Sequence, residues 1–351
     1  MSDIVTIGSA TIDVFVRCDD ANIVSVHSID KKSDFMSYRY GSKLEITDFD
    51  TNVGGGGVNT AVNFANLGFD TSAIFKMGKD IYSKGVLNFF ADKNIDLSNM
   101  VQTSKTTTGF SIILVSFEGD RTVLAHRGGN GEIKKEDINF DAIKNAKFLY
   151  LAPLNGKSTK ILEPIVEFAN ENNTNICVNA GTSSIKKGFE YMKNILEYAH
   201  IVVMNKEEAQ MCTKIEIRPD TSEEKFSEEK IHPDLIKIMK KLKVKDYQLI
   251  VVTDGGKGAY AYTGKNIYFC PVYPSKVVST LGAGDAFAST LCATLSKYEN
   301  DLGKALLYAS VNSGSVVSKF SATEGLLTFP EIEEKLKELP EYNYEIIPIE
   351  E

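Results

Sequence analysis

Apolar and polar positions along the chain follow two periods. Short, mainly apolar runs at 4–8, 73–77, 148–151, 176–178, 201–204 and 249–253 read as buried strands. Between them lie stretches whose apolar residues recur three and four apart. Positions 58, 61, 62 and 65 make such a stripe over 58–67, and Gly68 closes it. Similar stripes predict helices over 81–91, 160–169, 235–242, 285–295 and 302–317, with a short helix from Lys206. Strands alternating with helices predict an α/β fold. Its central sheet is mainly parallel and covered on both faces, a three-layer α/β/α arrangement.

Two regions break that rhythm. Residues 14–52 carry few helical signals and suggest strands at 14–17 and 43–47. Residues 109–127 hold two alternating runs around the turn Glu118-Gly119-Asp120, a hairpin signal. Together they predict a small β-rich lid, built from about 14–52 and 104–128 and inserted in a single domain spanning 1–351. Residues 213–230 are rich in charge and read as an exposed loop.

Composition narrows the function. The 351 residues are 43% hydrophobic and 25% charged, enough for a packed core and too apolar for global disorder. Lys and Arg number 39 against 47 Asp and Glu, a net charge of −8. An acidic chain with no basic block is a poor partner for nucleic acid or an anionic membrane. No apolar run reaches the ~18 residues of a membrane helix, and no leader-like segment opens the sequence. Five cysteines form no CxxC pair, which points to a reduced, cytoplasmic protein. The four histidines (27, 126, 200, 232) show no metal spacing.

The 26 glycines are an ordinary total with an informative distribution. Gly54-Gly55-Gly56-Gly57 leads straight into the first helix, where free N–H groups would favour an oxygen-rich ligand. Asn59, on the first turn, adds a donor and an acceptor suited to a sugar hydroxyl. Gly282-Ala283-Gly284-Asp285 opens another helix. Three successive N–H groups there can form an anion nest, and a carboxylate at the same mouth suits a general base for a hydroxyl attacking a phosphoryl group. A helix cap is the plainer role for Asp285. Thr253-Asp254-Gly255-Gly256-Lys257-Gly258 reads as a turn between strands against which a nucleotide could lie. Asn205-Lys206-Glu207-Glu208 reads as a capping box, and Glu208 could also orient waters around Mg²⁺. Neither a P-loop nor a dinucleotide fingerprint is present.

In this order the motifs resemble those of the PfkB-type, ribokinase-like carbohydrate kinases. GSATID (Gly8–Asp13), GGGGVN, NKEE, TDGGKG and TLGAGDAF (Thr280–Phe287) carry the likeness over nearly the whole chain. It implies a three-layer fold with a β lid and ATP-dependent phosphorylation of a hydroxymethyl group on a small sugar. By that likeness Asp285 is the catalytic base, and Gly282, Ala283 and Gly284 form the anion hole. Asp13, Gly55, Gly56, Gly57 and Asn59 hold the substrate. Thr253, Gly255 and Gly258 line the ATP, Asn312 lies near its adenine, and Glu208 sits near Mg²⁺. Where the family usually has Asp or Asn beside a monovalent-cation site, this chain has Ser279, so the likeness alone does not carry K⁺ over. A segment often of the form Asn-x-Arg reads Asn179-Ala180-Gly181-Thr182 here and lacks the Arg. A nucleoside is the alternative acceptor, since the lid offers Phe15, Phe35, Tyr38, Tyr40 and Phe110 as an aromatic slot. A homodimer through the lid would protect its unpaired strand edges.

Overall fold

The computed structural model describes residues 2–28, 32–116, 121–218, 231–299 and 301–349. Among these, ten strands form one sheet. From one edge to the other its order is Glu345–Pro348, Asn266–Cys270, Ala259–Tyr262, Leu249–Thr253, Ile201–Asn205, Asn175–Asn179, Phe148–Leu151, Ile4–Ile7, Thr71–Ile74 and Ile95–Asp96. The seven strands from Leu249–Thr253 to Ile95–Asp96 pair in parallel, and the three at the other edge are antiparallel.

Alternation along each strand sorts the core into two layers. Val5, Ile7, Leu149, Leu151, Ile176, Val202 and Ile250 face one layer, with the helices Leu162–Glu171, Phe189–Leu196 and Pro233–Leu242. Ile4, Tyr150, Cys177, Val203 and Val251 face the other, with the helices Ala283–Lys297, Leu302–Val316 and Phe329–Glu338. Both faces are therefore dry, which is why the central strands read as unbroken apolar runs.

The two β-rich excursions meet in a second, four-stranded sheet. Its order is Arg121–His126, Gly109–Val115, Thr11–Arg17, Asp48–Gly54. Several local expectations shift. The strand expected at 43–47 begins instead at Asp48, because pairing with Thr11–Arg17 runs from Arg17↔Asp48 to Thr11↔Gly54. The run 73–77 divides: Thr71–Ile74 stays in the main sheet, while Lys76–Gly78 pairs with Val101–Thr103. A hairpin of Asn22–His27 and Lys32–Ser37 was not legible, nor was the strand Glu345–Pro348. The helix Phe329–Glu338 did carry a signal, the capping box of Thr328 with Glu331. The expected turn 118–120 and most of the charged loop (219–230) lie outside the described residues.

The first strand and the first helix meet at backbone contact. A Cβ on Gly57 would lie 2.8 Å from the Gly8 carbonyl carbon, and one on Gly8 would lie 2.5 Å from the Gly57 nitrogen. Gly55 has φ +98°, and a Cβ there would lie 2.5 Å from the Ser9 carbonyl oxygen. These glycines are packing requirements. Gly284 differs, because nothing lies within 4 Å of the position its Cβ would take. Gly57→Ala is expected to destabilise the fold by about 1–3 kcal/mol, the usual range for overpacking. Gly284→Ala should leave the denaturant midpoint unchanged. Equal midpoints for the two variants would refute this division of the glycines.

Candidate active site

Asp285 stands in the first turn of the helix Ala283–Lys297, directly after Gly282, whose φ of +77° suits only glycine. The side chain is partly buried. Its Oδ2 accepts a hydrogen bond from Asn59 Nδ2 at 2.8 Å. A Cβ on Gly56 would lie 3.5 Å from its Oδ1, so glycine keeps that side of the carboxylate clear. Burial raises the Asp285 carboxyl above the ordinary carboxylate value, and the Asn59 bond opposes that rise.

One turn further along both helices a second asparagine repeats the contact. Asn63 Nδ2 donates to Ser289 Oγ (2.7 Å) and Thr290 Oγ1 (2.8 Å), while Asn63 Oδ1 accepts from Asn312 Nδ2 at 2.9 Å. Ser289 Oγ in turn donates to the Asp285 carbonyl. Asn63, Ser289, Thr290 and Asn312 are all fully buried. The network ties the helices Gly56–Asn66, Ala283–Lys297 and Leu302–Val316 together behind the carboxylate. The role expected for Asn312 is therefore corrected. Its amide serves Asn63 and Thr290, and its Oδ1 accepts the Leu327 N–H. Its helix reaches the large cavity described below through Ser310, Ser313 and Gly314 instead.

The glycine-rich helix start also differs from its expected role. Ser9 Oγ accepts the Gly56 N–H, and the Ser9 carbonyl accepts those of Gly57 and Val58. Those donors are spent within the fold. What this face offers a ligand is the side chain of Asn59, whose Oδ1 is buried with no partner. Asp13 lies close by on the lid: a Cβ on Gly54 would come within 2.3 Å of its Oδ2. Asp13 is buried, and burial raises its carboxyl while bonds from Ser111 and Thr11 lower it.

On the other side of the Gly282–Asp285 turn lies a cavity of about 530 Å³. Thr253, Gly255 and Gly258 line it, together with Ala283 and Gly284. Tyr273, Ser313 and Thr280 also line it and were not legible as site residues. An ion pair of Lys206 with Asp254 pins the glycine turn to the helix Lys206–Thr213. Glu208 completes the capping box with Asn205, and burial raises its carboxyl. Its neighbour Glu207 lines the cavity. The described residues contain no group of three or more His, Cys, Asp or Glu able to hold a metal ion. From the lid, Arg121 donates to Thr280 Oγ1 at 2.6 Å.

The cavity is built of glycine turns and ends at a helix mouth that bears a partly buried carboxylate. The family model for pfkB family carbohydrate kinases matches residues 1–328. The chain is 25% identical over 295 residues to the ribokinase of Staphylococcus aureus, covering 83% of this chain and 91% of that one. It is 26% identical over 310 residues to the bifunctional ribokinase/ribose-5-phosphate isomerase A of Fructilactobacillus sanfranciscensis, covering 87% of this chain but only 54% of that longer protein. Among solved structures, the Arabidopsis thaliana ribokinase complexed with ribose and ATP superimposes with a TM-score of 0.75 at 19% identity, over 96% of this chain and 99% of that one. The Methanocaldococcus jannaschii nucleoside kinase does so with 0.73 at 18%, over 96% and 98%. The chain belongs to the pfkB family of carbohydrate kinases and has the ribokinase-like fold.

Asn59→Ala removes the bond that favours the ionised form of Asp285. The titration midpoint of Asp285, followed by carboxyl-carbon NMR, is expected to move to higher pH. A midpoint that stays or falls would show that Asn59 does not hold the charge.

Proposed function

We propose that this kinase moves the γ-phosphoryl group of ATP to a hydroxymethyl group of a small sugar. The observation that carries this reading is the place of Asp285. Its neighbours Ala283 and Gly284 line the large cavity, while its carboxylate accepts from Asn59 Nδ2 and lies 3.5 Å from where a Cβ on Gly56 would stand. A hydroxyl held at Asn59 and Asp13 would meet a phosphoryl group held at the helix mouth. Asp285 takes the proton as that hydroxyl attacks in line. A raised carboxyl pKa makes it a better base than an exposed aspartate. The N–H groups of Gly282 and Gly284, with that of Ala283 shared with the Thr280 carbonyl at 3.5 Å, would face the transferring oxygens, aided by the positive end of the helix dipole. Thr253, Gly255 and Gly258 line the nucleotide. Asp13 and Asn59 hold the acceptor, and Gly55, Gly56 and Gly57 let the two segments of its cradle meet.

The donor set fits Mg²⁺, which keeps most of its waters and binds through few carboxylates and the phosphates. Glu208, with Glu207 beside it, would hold it through water. When bound, the ion neutralises phosphate charge. K⁺ is not part of the reading: Ser279 offers a neutral hydroxyl whose oxygen accepts the Leu281 N–H. Five free, buried cysteines suit a reducing cytoplasm. No helix among the described residues is long and apolar enough to cross a membrane.

Asp285→Asn is expected to lower kcat by about 10²–10⁴, the range for general acid–base catalysis, with acceptor binding nearly intact. Turnover at the parent rate, read as ADP release, would remove Asp285 from the base role. The lid sheet ends in two open edges, Arg121–His126 and Asp48–Gly54, and a homodimer pairing them would cover both. Light scattering on the eluting protein should then give twice 38.7 kDa. A monomer at micromolar concentration would rule that assembly out.

A further inference from the structure

The residues that follow the stretch matched by the family model reach the wall of the large cavity. The strand Glu345–Pro348 pairs antiparallel with Asn266–Cys270, and Glu345 stands opposite Phe269. The chain just before it therefore comes level with Cys270 and Pro271, where the partner strand ends. Tyr342 fills that place. Its hydroxyl donates to the Pro271 carbonyl at 2.6 Å and lies 2.6 Å from Ser310 Oγ and 3.3 Å from Cys270 Sγ. Its ring meets that of Tyr273 edge-on, with 5.3 Å between centroids. Burial raises the pKa of the hydroxyl, so it keeps its proton to donate. Tyr342 itself does not line the cavity.

The backbone it grips has no strand ladder of its own. Residues 271–280 form neither helix nor strand and lead straight to the Gly282 turn. Val272, Tyr273, Pro274, Ser275 and Val277 among them line the cavity. Their start is fastened by Ser310, whose Oγ accepts the Tyr273 N–H at 3.0 Å and donates to the Pro271 carbonyl at 3.1 Å. Their end is fastened where the N–H groups of Val278 and Ser279 donate to the Val317 carbonyl. The glycine turn rests on the same start. A Cβ on Gly258 would lie 2.9 Å from Pro271 Cα and closer still to the Cys270 carbonyl oxygen. A Cβ on Gly314 would lie 3.1 Å from the Tyr273 ring. One short piece of backbone at 270–273 thus sets both the turn and the aromatic wall, and the Tyr342 hydroxyl anchors it from outside the cavity.

We infer that Tyr342 is a positioning residue for the nucleotide. Through the Pro271 carbonyl and Ser310 it holds the wall 270–273 in the place a bound nucleotide needs, so that binding does not have to order it. The assignment rests on the reading of the cavity as the nucleotide site, and it adds a determinant outside the family-matched residues 1–328. The effect falls on nucleotide affinity and not on the reaction step, since the brace touches neither Asp285 nor its bond to Asn59.

Tyr342→Phe keeps the ring and removes only the hydroxyl. The full chain and this variant are titrated with Mg-ADP by calorimetry, and ADP release is followed separately with Mg-ATP and a panel of sugars and nucleosides. Tyr342→Phe is expected to weaken Mg-ADP about fivefold, the net worth of one hydrogen bond, and to raise KM for ATP by as much with kcat within about twofold. Tyr344→Phe is the control. Its ring belongs to the same segment but stacks on Tyr268, 5.9 Å between centroids, and the variant should bind Mg-ADP as the parent does. An unchanged Kd in Tyr342→Phe, or an equal weakening in Tyr344→Phe, would overturn the assignment and leave the nucleotide reading intact. So would a fall in kcat with KM unchanged. A parent chain that does not bind Mg-ADP would overturn both. Weakening as expected, with no ADP release from any acceptor, would instead sink the kinase reading and leave the role of Tyr342 standing.

Discussion

The helix Gly56–Asn66 can begin where it does only because Gly8 and Gly57 have no side chains. The first strand ends and the helix starts at van der Waals contact of their backbones, and Ser9 takes the helix's first N–H groups. That seat fixes the rotation of the helix about its own axis. Asn59 and Asn63, four residues apart, then share one face. They meet Asp285 and Ser289, also four apart, on the neighbouring helix. Two matched contacts set the depth and the rotation of one helix against the other. The position of a single carboxylate thus depends on a close backbone approach on the far side of the same helix.

The electrostatics follow from that placement. Burial pushes the carboxyl toward its neutral form, and one amide donor pulls it back. The balance leaves a carboxylate that can still ionise and holds a proton more readily than an exposed one. On the proposed reading the phosphoryl oxygens would face backbone N–H groups at the same helix mouth, and a chain of net charge −8 would hold the polyanion without a basic surface.

Much of this was legible before any coordinates. The central strands announced themselves because burial on both faces demands unbroken apolar runs, as at 148–151 and 249–253. Gly282–Asp285 was legible because an αL glycine, small neighbours and a carboxylate at a helix start form a dense local pattern. The hairpin at 22–37 was not, since its exposed Val24, Val26 and Phe35 show no burial pattern. The start of the last lid strand at Asp48 was missed for a related reason: Asp48, Asp50 and Asn52 are poor strand formers, and their partner strand decides the register.

Asn312 marks the same limit. Asn312 and Asn63 look alike as letters in a helix, and nothing local says that one amide will be consumed by the other. The four glycines at 54–57 equally suit an open anion loop and a tight backbone crossing. The sequence by itself determined the layers of the fold, the family and the carboxylate at the helix mouth, because periodicity and turn chemistry act over a few residues. Only the tertiary structure decided which donors stay free and which side chains share a face of the lid. Those depend on partners from 31 residues away (Arg17 and Asp48) to 249 (Asn63 and Asn312) along the chain, and no local pattern encodes a contact of that range.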